Sequence, residues 1–290
     1  MKKRILFTSL IAATLVFSCE QEIAELQPPA EPSGEPGNAD FTKFVSIGNS
    51  LTAGYQASAL FTEGQNNSYP SIMAKQFAFV SVNDEFNQPD INSANGYSSV
   101  DAATGAILGR LILFDPDGTT DPEDPDGCVI PSRDPGPSAS GTPARTVTCP
   151  SSVSTPAVPA PYNTADLPAA FTGDKTKLNN FGVPGILLAQ VITPLTGGPS
   201  TGNPAFNALY QRFASIPGTS TILGDALAAS PTFFSFWLGN NDVLGYATTG
   251  GVGTIPLTPV DGAAGVGFKA TYEAAIAQLL GANASVNGIV

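Results

Sequence analysis

The chain has 290 residues, 12 Lys plus Arg against 24 Asp plus Glu, a formal net charge of −12 and no histidine. Its length suits one or two domains with a sizeable core, and 42% hydrophobic with 9% aromatic residues exclude wholesale disorder. The acid excess argues against a nucleic-acid partner, while the lack of histidine excludes, within this chain, a His-ligated zinc site and a complete Ser–His dyad.

Lys2, Lys3 and Arg4 precede an apolar run from Ile5 to Phe17. That run is too short to span a bilayer comfortably, so residues 1–18 read as a secretory signal outside the fold. The run ends on Ser18-Cys19. A small residue before Cys at this place resembles the lipobox of bacterial lipoproteins, which implies that Cys19 carries lipid and begins the mature chain. The alternative is an ordinary signal peptide cut nearby. Residues 19–40 are rich in Pro, Glu and Gly and read as a flexible tether holding the domain 41–290 off a membrane.

Phe41–Ile47 alternates and then turns apolar, the pattern of a strand entering a buried sheet. Gly48-Asn49-Ser50-Leu51-Thr52-Ala53-Gly54-Tyr55 follows as a Gly-flanked turn that opens a helix. A helix is predicted over Tyr69–Phe79, with Ser68 as N-cap and Pro70 in its first turn. Residues 84–168 are rich in Pro, Gly, Ser, Asp and Thr, with an apolar island at Ala106–Phe114, and read as one long structureless insertion. Within it, Cys128 and Cys149 are an even pair in an exported chain, most simply a disulfide closing a loop of roughly 20 residues. Two free thiols are the alternative. Asp115–Gly127 is dense in carboxylates but fails the EF-hand spacing, so it reads as a solvated acidic loop.

Regular elements resume with a strand at Leu178–Val183, and helices over Pro184–Ile192, Pro204–Phe213 and Ile222–Ala229. Thr232–Leu238 (TFFSFWL) is the continuous apolar run of a central parallel strand, which places Trp237 in the core. Phe268–Leu280 repeats at helical period, and Val286–Val290 starts another strand. Strands alternating with helices predict an α/β fold with a parallel sheet.

Three turns at strand ends carry candidate chemistry. Ser50 sits where the carboxyl end of an open sheet binds ligands, with a backbone N–H near a helix start. Gly185 can offer a backbone N–H with no side chain in the way. Asn241, in Gly239-Asn240-Asn241-Asp242, can offer a carboxamide. Each alone is an ordinary turn or cap. In this order, the three blocks resemble the SGNH (GDSL-type) hydrolase superfamily over about Phe41–Val290. Gly48-Asn49-Ser50-Leu51 matches its G-D-S-L block, Gly185 its glycine, and Gly239-Asn240-Asn241-Asp242 its G-x-N-D block. The texture is similar to exported lipoprotein members from Bacteroidetes-type bacteria, which would place the chain at an outer membrane.

The resemblance implies a three-layer, flavodoxin-like sandwich around a central parallel sheet. It also implies hydrolysis of carboxylic esters through an acyl-enzyme on Ser50, of lipase or esterase type. The oxyanion would rest on the Ser50 and Gly185 N–H groups and the Asn241 amide, with no metal or cofactor. The substrate would be a small-molecule or lipid ester; deacetylation of a polysaccharide is the second choice in that class. Asp242 would hold the turn, and Arg110 has only its charge to suggest an anionic ligand. Two departures stand out: Asn49 replaces the family's Asp, and the terminal D-x-x-H block is missing. Without a base the Ser50 hydroxyl is not activated. Either the chain is a fragment lacking its last strand and helix, with the histidine beyond Val290, or it is a non-catalytic surface lipoprotein that binds glycans or partners.

Overall fold

Phe44–Gly48 (β1) and Phe233–Trp237 (β7) form the centre of the molecule, paired in parallel from Phe44↔Phe233 to Gly48↔Trp237. In the computed structural model the described residues are 34–81, 85–100, 105, 107–114, 130–133, 168–252 and 257–290, with backbone only at 112–114 and 130–133. The signal segment, Cys19, Cys128, Cys149 and the acidic run 115–127 lie outside the described residues.

After β1 come the helices α1 (Ser50–Ala53), α2 (Thr62–Asn66) and α3 (Tyr69–Phe77). Strands β2 (Ser99–Val100), β3 (Ile107–Leu108), β4 (Leu111–Phe114) and β5 (Ile130–Arg133) make two small antiparallel ladders. Then follow β6 (Asn180–Gly182), α4 (Ala208–Gln211), α5 (Ile222–Ala228), β7, α6 (Asn241–Thr248), α7 (Phe268–Gly281) and β8 (Asn287–Ile289). The main sheet has four parallel strands in the order β6-β1-β7-β8, and helices flank it. This is the α/β arrangement that the sequence predicts.

Alternation along the strands sorts two faces. Val45, Ile47, Phe181, Phe234 and Phe236 pack with Ile222, Leu223 and Ala226 of α5 and with Ala275 and Leu279 of α7. Each such burial contributes about 1.5–3 kcal/mol. Phe44 and Phe233 face the other way, onto Ala74, Met73 and Phe77 of α3. Phe77 stacks on Phe41 at 4.0 Å and meets Phe44 edge-on at 5.0 Å. Toward the carboxyl ends this second face becomes small and polar: Ser46 and Ser235 join hydroxyls at 2.6 Å, and Gly48 and Gly182 carry no side chain. The reason is α1, which lies directly on it. A Cβ at Gly182 would stand 2.3 Å from the Ala53 nitrogen, and one at Gly48 1.9 Å from Thr52 Oγ1.

Several elements match their predicted bounds. Helix α3 starts on the Ser68 cap, whose Oγ accepts the Ser71 N–H. Helices α5 and α7 lie within two residues of expectation. Others are corrected. The helix expected at Pro184–Ile192 is only a 3-10 turn over Leu188–Val191, because Gly185 takes a φ of +79° that no α-helix contains. The helix expected at Pro204–Phe213 shrinks to α4, since Asn207 caps it late by accepting the Leu209 N–H. Trp237 is not core: it ends β7 on the face covered by α1 and α3, which cover it only in part, and is 52% exposed.

The insertion is not uniformly structureless either. Asn87 makes an isolated parallel bridge to Leu178, just before β6, and Ile91 and Ile107 are buried. Gln65 Oε1 accepts the Ile91 N–H, and the buried Arg212 guanidinium donates to the Pro89, Asp90 and Ala169 carbonyls. No helix among the described residues is long and apolar enough to cross a membrane.

Candidate functional site

Ser50 is the first residue of α1, a single turn capped at both ends. Asn49, fully buried, accepts the Leu51 N–H with its Oδ1 and donates its Nδ2 to Asn240 Oδ1. Gly54, at φ +78°, closes the turn in the left-handed conformation. The amide of Asn49 thus supplies the cap acceptor that an Asp would, and adds a donor that ties the first block to the third. Asn180 Nδ2 holds the Thr52 carbonyl at 2.9 Å, fixing α1 to the end of β6.

Beyond β6 the chain runs through Val183 and Pro184 to the exposed Gly185. Val183 N–H bonds Gly48 O at 2.9 Å, and Asn207 Nδ2 bonds Pro184 O at 2.8 Å. The loop is therefore held from the sheet side and from α4. Asn241 opens α6 and donates Nδ2 to Ile186 O at 2.9 Å. Next to it, the buried Asp242 accepts the Leu188 N–H at 2.9 Å and the Thr258 hydroxyl at 2.8 Å. Asp242 is a turn-holding carboxylate, as the sequence suggests.

Ser50, Gly185 and Asn241 line one open cavity of about 430 Å³. Among the described residues neither the Ser50 nor the Gly185 backbone N–H has a hydrogen-bond acceptor, and the second Asn241 amide hydrogen has none. Orphan donors around a single cavity suit a ligand oxygen that carries or develops negative charge. Among the described residues no charged side chain lines this cavity. Ser50 is half-buried, and no described group can take its proton as a base of ordinary neutral-pH strength.

A comparison with protein-family models, curated proteins and solved structures finds no match.

The other lining residues escaped sequence reasoning. Tyr97 and Ser98 come from the insertion, Phe206 and Leu209 from the region around α4, and Tyr55 follows α1. Tyr55 donates to Ser58 O at 2.5 Å and lies 3.3 Å from the Ser98 hydroxyl, which attaches the insertion to the site. Burial raises the Tyr97 phenol above its ordinary value, so it stays a neutral hydroxyl at the wall. The only available signal for these residues was aromatic residues next to the blocks, which is not specific. Arg110 lies elsewhere, its guanidinium 5.2 Å from the Phe61 ring centre. Among the described residues no three His, Cys, Asp or Glu side chains come together to hold a metal ion.

Proposed function

We propose that the protein is an ester hydrolase of SGNH type, with the three-layer sandwich of that superfamily. The observation that carries this reading is the convergence of Ser50, Gly185 and Asn241 on one cavity. Ser50 Oγ attacks the ester carbonyl, and the oxygen that becomes negative is received by the Ser50 and Gly185 N–H groups and the Asn241 amide. The alcohol leaves, and water then releases the acid from Ser50. Substrates are carboxylic esters of lipase or esterase type, small or lipid-borne. No cofactor is required. The base this chemistry calls for is a histidine, which these 290 residues do not contain, so these residues alone are expected to be inactive. Lipidation at Cys19 would anchor the protein at an outer membrane.

The test is turnover of p-nitrophenyl butyrate by the full-length gene product. The expected result is hydrolysis that Ser50→Ala abolishes, with the 290-residue chain at background. The absence of histidine favours a second reading, a non-catalytic surface lipoprotein that binds glycans or partners. A full-length product without esterase activity selects it.

A further inference from the structure

Beside α1 lies a second hollow, of about 320 Å³. Trp237, Tyr69, Tyr55, Leu51, Gln56 and Asn67 contribute to it, and among the described residues none of its walls carries a charge. Tyr55 lines both hollows.

The aromatic walls are fixed. The Tyr69 hydroxyl is held by Thr52 Oγ1 at 3.1 Å and Ser235 Oγ at 3.3 Å, over the buried serine pair of the sheet. Its ring centre lies 5.7 Å from that of Trp237, inclined at 46°. A half-exposed indole held beside a fixed phenol is a preformed apolar platform. Amides stand at its rim. Asn67 gives one amide hydrogen to Glu63 O and keeps a carbonyl and a second hydrogen. The Gln56 amide has no hydrogen-bond partner among the described residues.

We propose that this hollow is a subsite for one neutral sugar ring. The apolar C–H face of a pyranose matches an aromatic platform, and its hydroxyl edge matches uncharged amides that both donate and accept. An alkyl chain would leave those amides without use, and an anionic sugar would meet no cation. As a binding site the hollow does not depend on the hydrolase reading. As a substrate subsite it does: a sugar seated here can carry an acyl group past Tyr55 to Ser50, which makes the substrate class an O-acylated glycan.

Trp237 is the only tryptophan of the described chain and of the whole 290 residues, so its fluorescence reports on this hollow directly. The full-length gene product and its Trp237→Phe variant are titrated with cellotetraose and with xylotetraose, and separately with 1-hexanol, and the difference between the two isolates the Trp237 signal. The expected result is a saturable change in emission with millimolar affinity for at least one of the sugars. Asn67→Ala and Gln56→Ala, which keep the fluorophore, each weaken it by about fivefold, the worth of one hydrogen bond. No response to either sugar overturns the proposal, as does a response to hexanol alone or an indole already shielded from acrylamide. Sugar binding without ester turnover would retain the subsite and reject the hydrolase reading. Ester turnover with no response to sugar would do the reverse.

Discussion

A φ of +79° at Gly185 and a Cβ position with nothing within 4 Å describe a glycine required for conformation alone. Gly182, three residues earlier, is required for space: its Cβ would overlap the backbone of α1. The two substitutions therefore separate. Gly185→Ala costs about 1–2 kcal/mol through the left-handed backbone, and Gly182→Ala costs about 3 kcal/mol or more through overpacking. Urea denaturation of both variants measures the difference, and equal losses would contradict it. Asn241 makes a different prediction in the full-length product. If its free amide hydrogen meets the developing oxyanion, Asn241→Ala lowers kcat by about 10²–10³ with KM little changed. A loss confined to thermal stability would mean that it only ties α6 to Ile186. The sequence could name Ser50, Gly185 and Asn241 because the three turns come together in one order along the chain, each at a strand end, although each alone is an ordinary turn or cap. It could not place Trp237, because an apolar strand reads the same whether its last residue is covered or not.

At the level of elements, one-turn pieces dominate the site, and side chains rather than helix length hold them. Asp242 shows this: one carboxylate joins α6, the 3-10 turn at Leu188 and the segment at Thr258. Asp242→Ala leaves the buried Leu188 N–H without its acceptor and is expected to cost about 1–3 kcal/mol. Amide exchange should accelerate at 186–190, the loop that carries Gly185, and a stability loss with unchanged exchange there would refute the linkage. Arg212 does the same for the insertion, because it clamps the Pro89, Asp90 and Ala169 carbonyls behind α4. Such long-range ties explain what the sequence hid. Helix α7 was legible from its apolar period, and α3 from its Ser68 cap and the proline in its first turn. The Pro184–Ile192 segment has a helix-like composition, yet Asp242 and Asn241 hold it in an open loop from 54 or 55 residues away. The insertion's polar composition gave no hint that Tyr97 and Ser98 wall the cavity, since their places depend on the Leu60–Tyr97 backbone pair and the Tyr55–Ser98 hydroxyl contact, both made to the segment after α1.

For the whole molecule, the missing histidine and the buried phenols set the pH behaviour. Burial raises Tyr210, helped by the neighbouring Asp225, and burial also raises Tyr97 and Tyr272. Unfolded, these phenols ionise near pH 10. Above that pH the unfolded chain holds fewer protons than the folded one, so stability falls as pH rises. Arg212 opposes this, because burial pushes it down to about 10 and the folded chain releases that proton first. Three phenols outweigh one guanidinium, and the urea midpoint should be lower at about pH 11 than at about pH 9. Catalysis provides the sharper test. No side chain of these 290 residues is a histidine, so nothing here supplies a base with an ordinary pKa near 6.5. If a histidine outside these residues activates Ser50 as proposed, kcat/KM of the full-length product on a nitrophenyl ester should rise through an apparent pKa of about 6–7, as that base becomes neutral. A profile flat from about pH 5 to 9 would mean that no histidine activates Ser50. The orphan donors around the cavity would then serve to hold a ligand oxygen, as the non-catalytic reading requires.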